Sequence, residues 1–169
     1  MDDLNKIKLT PEEALKFKGL EGELLEKYSC ETNCKIRKKI IYILGILAFN
    51  NNNKKDEIIK LLKKALNDEC PWVRGTAAEM LGKLGVEDDK IISLLEDRCP
   101  WVRHRAADAL SNLCKNLNFA LKSYKALLKR LNDSSPYVQN YVIQALMVCL
   151  STFKKAGMGE KALEIEKNL

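Results

Sequence analysis

The chain has 169 residues, 46% of them apolar and 31% charged, and carries a formal net charge of +6. That length suffices for one domain with a core, and that balance excludes a disordered chain. No apolar run reaches the roughly 20 residues that a bilayer span needs, and residues 40–49, the most apolar stretch, fall well short.

The start, Met1-Asp2-Asp3, is acidic and no apolar h-region follows, so the cytoplasm is the expected compartment. In that compartment the six cysteines read as reduced thiols. The charge is uneven: residues 111–169 carry nine Lys/Arg against four Asp/Glu, so most of the basic excess is C-terminal.

In chain order, Thr10-Pro11-Glu12-Glu13 predicts a helix start, with a hydroxyl N-cap, Pro at the first helical position and Glu at the capping-box position. This short helix breaks near Gly19 and Gly22. Residues 20–28 follow as a first outer helix. Residues 35–49 form an inner helix, ended by the Asn50-Asn51-Asn52-Asn53 loop. Asp56 is expected to cap a helix over residues 57–66, in which Ile58, Ile59, Leu61, Leu62, Ala65 and Leu66 share one face. After a turn at residues 67–70, Pro71 opens a partner helix that closes near Gly85. Residues 88–95 give the shortest outer helix and residues 100–114 its partner. Residues 117–131 and 136–155 make the last pair. Ala156-Gly157-Met158-Gly159 breaks the chain before a final helix at residues 160–169.

One motif organises these pairs. Cys70-Pro71-Trp72-Val73-Arg74 with Ala77-Ala78 and Leu81 returns as Cys99-Pro100-Trp101-Val102-Arg103 with Ala106-Ala107 and Leu110. It returns again as Ser135-Pro136-Tyr137-Val138-Gln139 with Ala145-Leu146, and a fainter copy is Cys34-Lys35-Ile36-Arg37. The Val/Ile positions 36, 73, 102 and 138 are 37, 29 and 36 residues apart. Such a period means stacked helix pairs, each burying its apolar stripe on the next at about 10 Å between axes. Val73, Ala77, Leu81 and Leu84 are spaced to line the buried face. The Ala-Ala pairs permit close approach, while Ile40-Ile41 and Val142-Ile143 predict wider packing in the end repeats.

These residues resemble HEAT repeats, in particular the HEAT-like class first described in phycobilin lyases, whose pattern is Asp-x-x-Pro-x-Val-Arg-x-x-Ala-Ala-x-x-Leu. The likeness covers residues 20–155. It implies a single all-α domain over residues 1–169: a right-handed α-α superhelix, or HEAT-like solenoid, of about four helix pairs. The repeats would span residues 20–49, 56–85, 88–114 and 117–155, with an end helix at 160–169. It also implies a ladder between neighbouring units, built from a turn acid and an Arg six residues later. The matching positions are Glu31 and Arg37, Asp68 and Arg74, Asp97 and Arg103, and Asp133 with Gln139 in place of the Arg. On this reading Arg37, Arg74 and Arg103 are structural rungs rather than an anion-binding row.

Little in the chain supports catalysis. There is one histidine, His104, with no partner acid or nucleophile nearby in sequence, and no Cys-x-x-Cys. A Cys70–Cys99 disulfide is not expected, because stacked equivalents lie too far apart. The HEAT-type deoxyhypusine hydroxylases bind iron with His-Glu pairs, and none is present here. No cofactor or metal is therefore expected. Trp72, Trp101 and Tyr137 occupy equivalent places in three units. They form either an aromatic row for an extended ligand or rings packed over the adjacent turns.

The inner-helix surface is mixed in charge, which suits a protein ligand better than a phosphate-tracking groove. The expected function is a non-enzymatic scaffold or adaptor for an unknown protein partner. It would bind through Lys38, Tyr42, Trp72, Glu79, Trp101, His104, Arg105, Asp108, Tyr137, Asn140, Tyr141 and Gln144. The first alternative comes from likeness to the HEAT-like alkylpurine DNA glycosylases: nucleic-acid binding by a basic C-terminal face of Lys115, Lys122, Lys125 and Lys129 with the aromatic row. The second is a lyase-like or enzyme-associated subunit. No membrane partner is expected. Self-association through the helix around Leu163 and Ile165 remains open.

Overall fold

The computed structural model describes Leu4, residues 8–50 and residues 53–169; residues 1–3 and the Asn51-Asn52 part of the expected loop lie outside that set. The described residues form ten α-helices and no strand. The chain divides into two compact units, Met1–Leu84 and Gly85–Leu169.

The first unit holds α1 (Pro11–Leu15), α2 (Glu21–Cys30), α3 (Cys34–Phe49), α4 (Lys55–Ala65) and α5 (Pro71–Leu84). Thr10 caps α1 as its sequence predicts, accepting the Glu13 main-chain N–H at 3.3 Å. Glu13 does not complete the reciprocal capping box; it pairs instead with Lys16 at 2.5 Å. Asp56 is not a cap. α4 begins at Lys55 with no side-chain cap, and Asp56 sits in the first turn, where a carboxylate still favours the helix N-terminus.

α3 is the centre of this unit and packs against α1, α2, α4 and α5. A helix apolar on most of its circumference must be covered on several sides. Here Ile40, Ile41, Ile43, Leu44, Leu47 and Ala48 are all buried. Each such burial contributes about 1.5–3 kcal/mol for the larger side chains. α5 comes close to α3 at Gly45, where a Cβ would lie 2.6 Å from Met80 Sδ and 2.8 Å from Met80 Cβ. Only a residue without a side chain fits there.

The second unit holds α6 (Asp89–Ser93), a 3-10 turn at Leu94–Glu96, α7 (Pro100–Leu113), α8 (Leu117–Lys129), α9 (Pro136–Lys155) and α10 (Gly159–Glu166). Asp88 caps α6 through the Lys90 N–H at 2.9 Å. This brief outer segment accounts for the 29-residue step. Asn116 caps α8 by accepting the N–H groups of Asn118 and Phe119. α9 packs against α7, α8 and α10 over a core that includes Phe119, Leu127, Val142, Leu146, Phe153 and Ile165. Tyr124 meets the Phe153 ring edge-on, with centroids 5.3 Å apart. Of the Val142-Ile143 pair only Val142 is buried; Ile143 turns to solvent.

The end of α9 is a Schellman turn. Gly157 has φ of 72°, its N–H donates to Lys154 O at 3.2 Å, and the Met158 N–H donates to Phe153 O at 2.9 Å. The Ala156-Gly157 break therefore satisfies the last carbonyls of α9 and redirects the chain into α10.

Candidate functional site

The repeat motif first builds a set of rungs. Arg37 Nε and Nη2 donate to Asp68 Oδ2 and Oδ1 at 3.0 and 2.9 Å, and Arg37 Nη2 also meets Glu69 Oε1 at 3.1 Å. In the second unit Arg103 Nε and Nη2 donate to Asp133 Oδ2 and Oδ1, both at 2.7 Å. Both pairs are bidentate, the geometry in which a guanidinium fork matches a carboxylate. The partner acid thus belongs to the next turn in sequence, and the spacing of six serves another contact. Arg37, Arg74 and Arg103 each donate through Nη1 to the main-chain carbonyl six residues back, of Glu31, Asp68 and Asp97, at 3.3, 2.8 and 3.0 Å. Gln139 Nε2 does the same to Asp133 O at 2.6 Å, so the last unit keeps this half of the motif without an Arg.

Each acid also closes its own turn. The carboxylates of Asp68, Asp97 and Asp133 accept the main-chain N–H two residues on, at 2.8, 2.9 and 2.9 Å. Burial pushes the Asp68 carboxyl up, but bonds from Arg37, the Cys70 N–H and the Tyr28 hydroxyl hold it below the usual carboxylate range. Asp133 behaves alike: burial raises it, and Arg103, the Ser135 N–H and the Arg130 charge bring it below. Tyr28 is held in its protonated form by burial and by its bond to Asp68.

Cys34 and Cys70 form a disulfide with Cα atoms 6.0 Å apart. This corrects the expectation that every cysteine is a free thiol. Cys34 is the first residue of α3 and Cys70 immediately precedes α5, so they are one motif position out of register. The bridged cysteines are thus not equivalent positions of the repeat, as Cys70 and Cys99 are. Cys30, Cys99, Cys114 and Cys149 are free thiols; Cys114 and Cys149 are buried.

The side chains proposed from sequence fall into two clusters, one in each unit. In the first, Lys38 on α3 lies over the Trp72 ring on α5, 5.6 Å from its centroid. Trp72 is 46% exposed. Tyr42 is half-buried, and Glu79 pairs with Lys83 at 2.5 Å. In the second, Arg105 lies 5.3 Å from the Trp101 ring centre, and its guanidinium reaches Asp108 at 3.9 Å. His104 stacks on Tyr141 with centroids 4.2 Å apart. Tyr137, 73% exposed, stands on α9 with the exposed Asn140 and Gln144. Trp72 and Tyr137 are therefore not packed away over their turns, and Trp101 is half-buried. Gly75 and Thr76, between Trp72 and Glu79 on α5, are buried; the Thr76 hydroxyl donates to Trp72 O at 2.8 Å within its own helix.

Of the basic C-terminal face, Lys122, Lys125 and Lys129 stand exposed on α8 at i, i+3 and i+7. Lys115 lies before the Asn116 cap and so off α8. It borders a cavity of about 620 Å3 with Met147, Val148, Ser151, Thr152, Lys155 and Ala156. Lys122 pairs with Asp89 at 3.0 Å, and Arg130 with Glu96 and, at 3.7 Å, Asp133.

A cavity in the first unit was outside the sequence reading. It measures about 400 Å3 and is lined by Leu9, Lys35, Lys38, Lys39 and Trp72. The signal for it was the i, i+3, i+4 spacing of the three lysines, which puts them on one side of α3. Among the described residues no group of three or more His, Cys, Asp or Glu is arranged to hold a metal ion. None of the described helices is long and apolar enough to cross a membrane.

Comparison with known proteins bears on this architecture. No curated protein matches the chain. An engineered protein whose crystal structure was solved by the Northeast Structural Genomics Consortium is similar in fold, with a TM-score of 0.64 at 18% identity. The match covers 98% of this chain and 84% of that one. At that identity it speaks for an α-α solenoid fold and nothing further. A family model described as HEAT repeats matches residues 23–92, and one for the HEAT repeat matches residues 89–117. Together they span more than half of the chain, over Arg37, Asp68 and Arg103 and from within α2 to the end of α7: the chain belongs to the HEAT-repeat family.

Proposed function

We propose that this chain is a non-enzymatic interaction scaffold that holds a protein partner through the inner helices of its units, α3 and α5 in the first and α7 and α9 in the second. The observation that carries the reading is the pairing of a cation with each tryptophan: Lys38 over Trp72 and Arg105 over Trp101. Aromatic and arginine side chains dominate the energetics of protein interfaces because they bury large area at low entropic cost. Asp108 beside Arg105, and the exposed Tyr137, Asn140 and Gln144, add polar contacts of mixed sign that favour a protein over a polyanion. HEAT solenoids in general serve as protein-interaction surfaces, which agrees with this reading.

The test is affinity capture from native cytosol, with and without nuclease, at low and moderate salt. A discrete protein should be recovered in every condition, and Trp101→Ala combined with Arg105→Glu should release it. Recovery of nucleic acid alone, lost as salt rises, would overturn the reading.

A further inference from the structure

The second unit contains a cavity of about 620 Å3 where the end of α7 meets the C-terminal turns of α9. Two lysines border it, Lys115 just after α7 and Lys155 in the last turn of α9, and both are exposed. Neither is paired with a carboxylate among the described residues, which include the whole of this unit. The lining itself holds no acid. Glu166, which α10 brings to this end of α9, is bonded to Lys154 at 2.6 Å instead. Glu87, whose charge reaches the Cys114 thiol, stands outside the lining.

The lysines share this lining with apolar side chains. Met147 is 58% exposed and Val148 half-buried, and Ile143, one turn before Met147, carries the exposed apolar face further along α9. An exposed methionine offers a polarisable and adaptable surface to an apolar group. The walls hold without a ligand. The Thr152 hydroxyl donates to Cys114 O at 2.9 Å, which fixes α9 to the end of α7, and the Cys114 thiol lies 3.1 Å from the Ser123 hydroxyl of α8. A site so preformed loses little ordering entropy on binding.

We propose that this cavity binds an acidic segment of a protein partner, with a bulky apolar side chain seated on Met147 and Val148 and flanking carboxylates on Lys115 and Lys155. The proposal rests on the interaction reading above and adds a contact at the other end of α9 from Tyr137. Charge complementarity selects the occupant. Two ammonium groups with no acid in the lining call for carboxylates, and a neutral or basic segment would cover them without supplying a partner. The exposed methionine calls for an apolar neighbour beside those carboxylates. Nucleic acid fits less well, since a tracking groove needs basic charge continued along the surface. Here the groups that precede the cavity on α9 are Asn140, Ile143 and Gln144. Both lysines also stand at helix C-termini, whose main-chain carbonyls oppose a compact polyanion.

The experiment is fluorescence anisotropy with the full chain and four labelled probes: the peptide Glu-Glu-Phe-Leu-Glu-Glu, the same peptide with Gln for each Glu, the same peptide with Ala-Ala for Phe-Leu, and a single-stranded oligonucleotide. The first peptide should bind, the Gln and Ala peptides should each bind at least roughly tenfold more weakly, and binding should weaken as salt is added. Lys115→Gln combined with Lys155→Gln and, separately, Met147→Ser should each cut affinity for the first peptide by roughly tenfold. All three side chains are exposed, and unchanged circular-dichroism melts would show that the variants fold. Absence of binding by the first peptide, or equal binding by wild type and both variants, would overturn this site. So would tighter binding of the oligonucleotide than of the first peptide. Sedimentation of the chain alone should show a monomer; a dimer that the lysine variant dissolves would give the cavity to a second copy and overturn the proposed occupant. Each of these results leaves the scaffold reading standing if cytosolic capture still recovers a protein; failure of that capture would overturn the scaffold reading itself.

Discussion

Arg37 and Asp68, 31 residues apart in sequence, face each other through two parallel N–H···O bonds, and Arg103 and Asp133 repeat the arrangement 30 residues apart. The two rungs differ in their surroundings. Arg37 has a second acid in Glu69, whereas the further contact of the Arg103 fork is the Ser134 hydroxyl at 3.5 Å. The side chains of Arg103 and Asp133 are 9% and 1% exposed. Removing one partner of such a buried pair leaves an uncompensated charge and costs about 3–5 kcal/mol. Asp133→Ala should therefore lower stability by that order in urea melts, and Asp68→Ala by less, because Glu69 still faces Arg37.

The same carboxylates set the acid limb of stability. Both titrate below the ordinary Asp value of 3.8, Asp68 held down by Arg37, the Cys70 N–H and Tyr28 against the effect of its burial, and Asp133 by Arg103 and the Ser135 N–H. A carboxyl whose folded-state value is depressed contributes fully above its unfolded value, and the contribution is lost as pH falls through the folded value. Melting temperature should be flat with respect to these groups down to about pH 4 and fall below it. Asp68→Asn should flatten that decline. A decline identical in wild type and variant would show that Asp68 is not one of the groups responsible.

Helix order and pairing were legible because the Pro-x-Val motif recurs with its apolar stripe, and ten helices fall where turn chemistry predicts within a few residues. The rungs were half legible. A spacing of six is visible in the sequence, but it marks the main-chain carbonyl that each Arg reaches, while the carboxylate partner is set by stacking and leaves no local trace. The Cys34–Cys70 pair was hidden for the same reason: proximity came from packing α3 against α5, not from equivalence in the repeat. Exposure of Trp72 and Tyr137 was open in the sequence, since an aromatic after a turn Pro can point either way. The Leu9–Trp72 cavity depends on a residue before α1, outside any repeat.

Gly45 tests how closely α3 and α5 are fitted. A methyl group there would lie 2.6 Å from Met80 Sδ and 2.8 Å from Met80 Cβ, and these atoms are part of the buried contact rather than a free chain end. Gly45→Ala gains intrinsic helix propensity of about 1 kcal/mol. Overpacking costs about 1–3 kcal/mol. The net effect expected is destabilisation, and adding Met80→Ala removes the Sδ contact but keeps the one to Cβ, so the cost of Gly45→Ala should shrink in that background without vanishing. A double-mutant cycle in urea measures the coupling.

Gly157 carries the turn between α9 and α10. Its φ of 72° lies in the left-handed region, and the Met158-to-Phe153 bond depends on it. Gly157→Ala should cost about 1–2 kcal/mol, the strain of a Cβ in that region. Gly157→Asn should cost less, because Asn visits the left-handed region more readily. Equal losses for the two variants would show that side-chain bulk, not backbone conformation, is limiting.

The Cys34–Cys70 disulfide closes a loop of 36 residues across the first unit, and its Cα separation of 6.0 Å lies in the range that disulfides ordinarily span. A bridge closing a loop of that size stabilises by about 3–4 kcal/mol on the chain-entropy model. The oxidised chain should therefore melt higher than the reduced chain, with the loss appearing on addition of dithiothreitol. Cys34→Ser with Cys70→Ser should melt like the reduced protein and show no response to the reductant. Cys99→Ser should leave the response intact, because Cys99 belongs to the other unit and is a free thiol. The bidentate Arg37–Asp68 rung ties the same two helix starts without the sulfur atoms. The reduced first unit should thus remain folded at room temperature with its α3–α5 contact in place, and the far-ultraviolet circular dichroism of the two states should coincide below the melt. Loss of helicity on reduction alone would mean that the disulfide, and not the rung, holds α3 to α5.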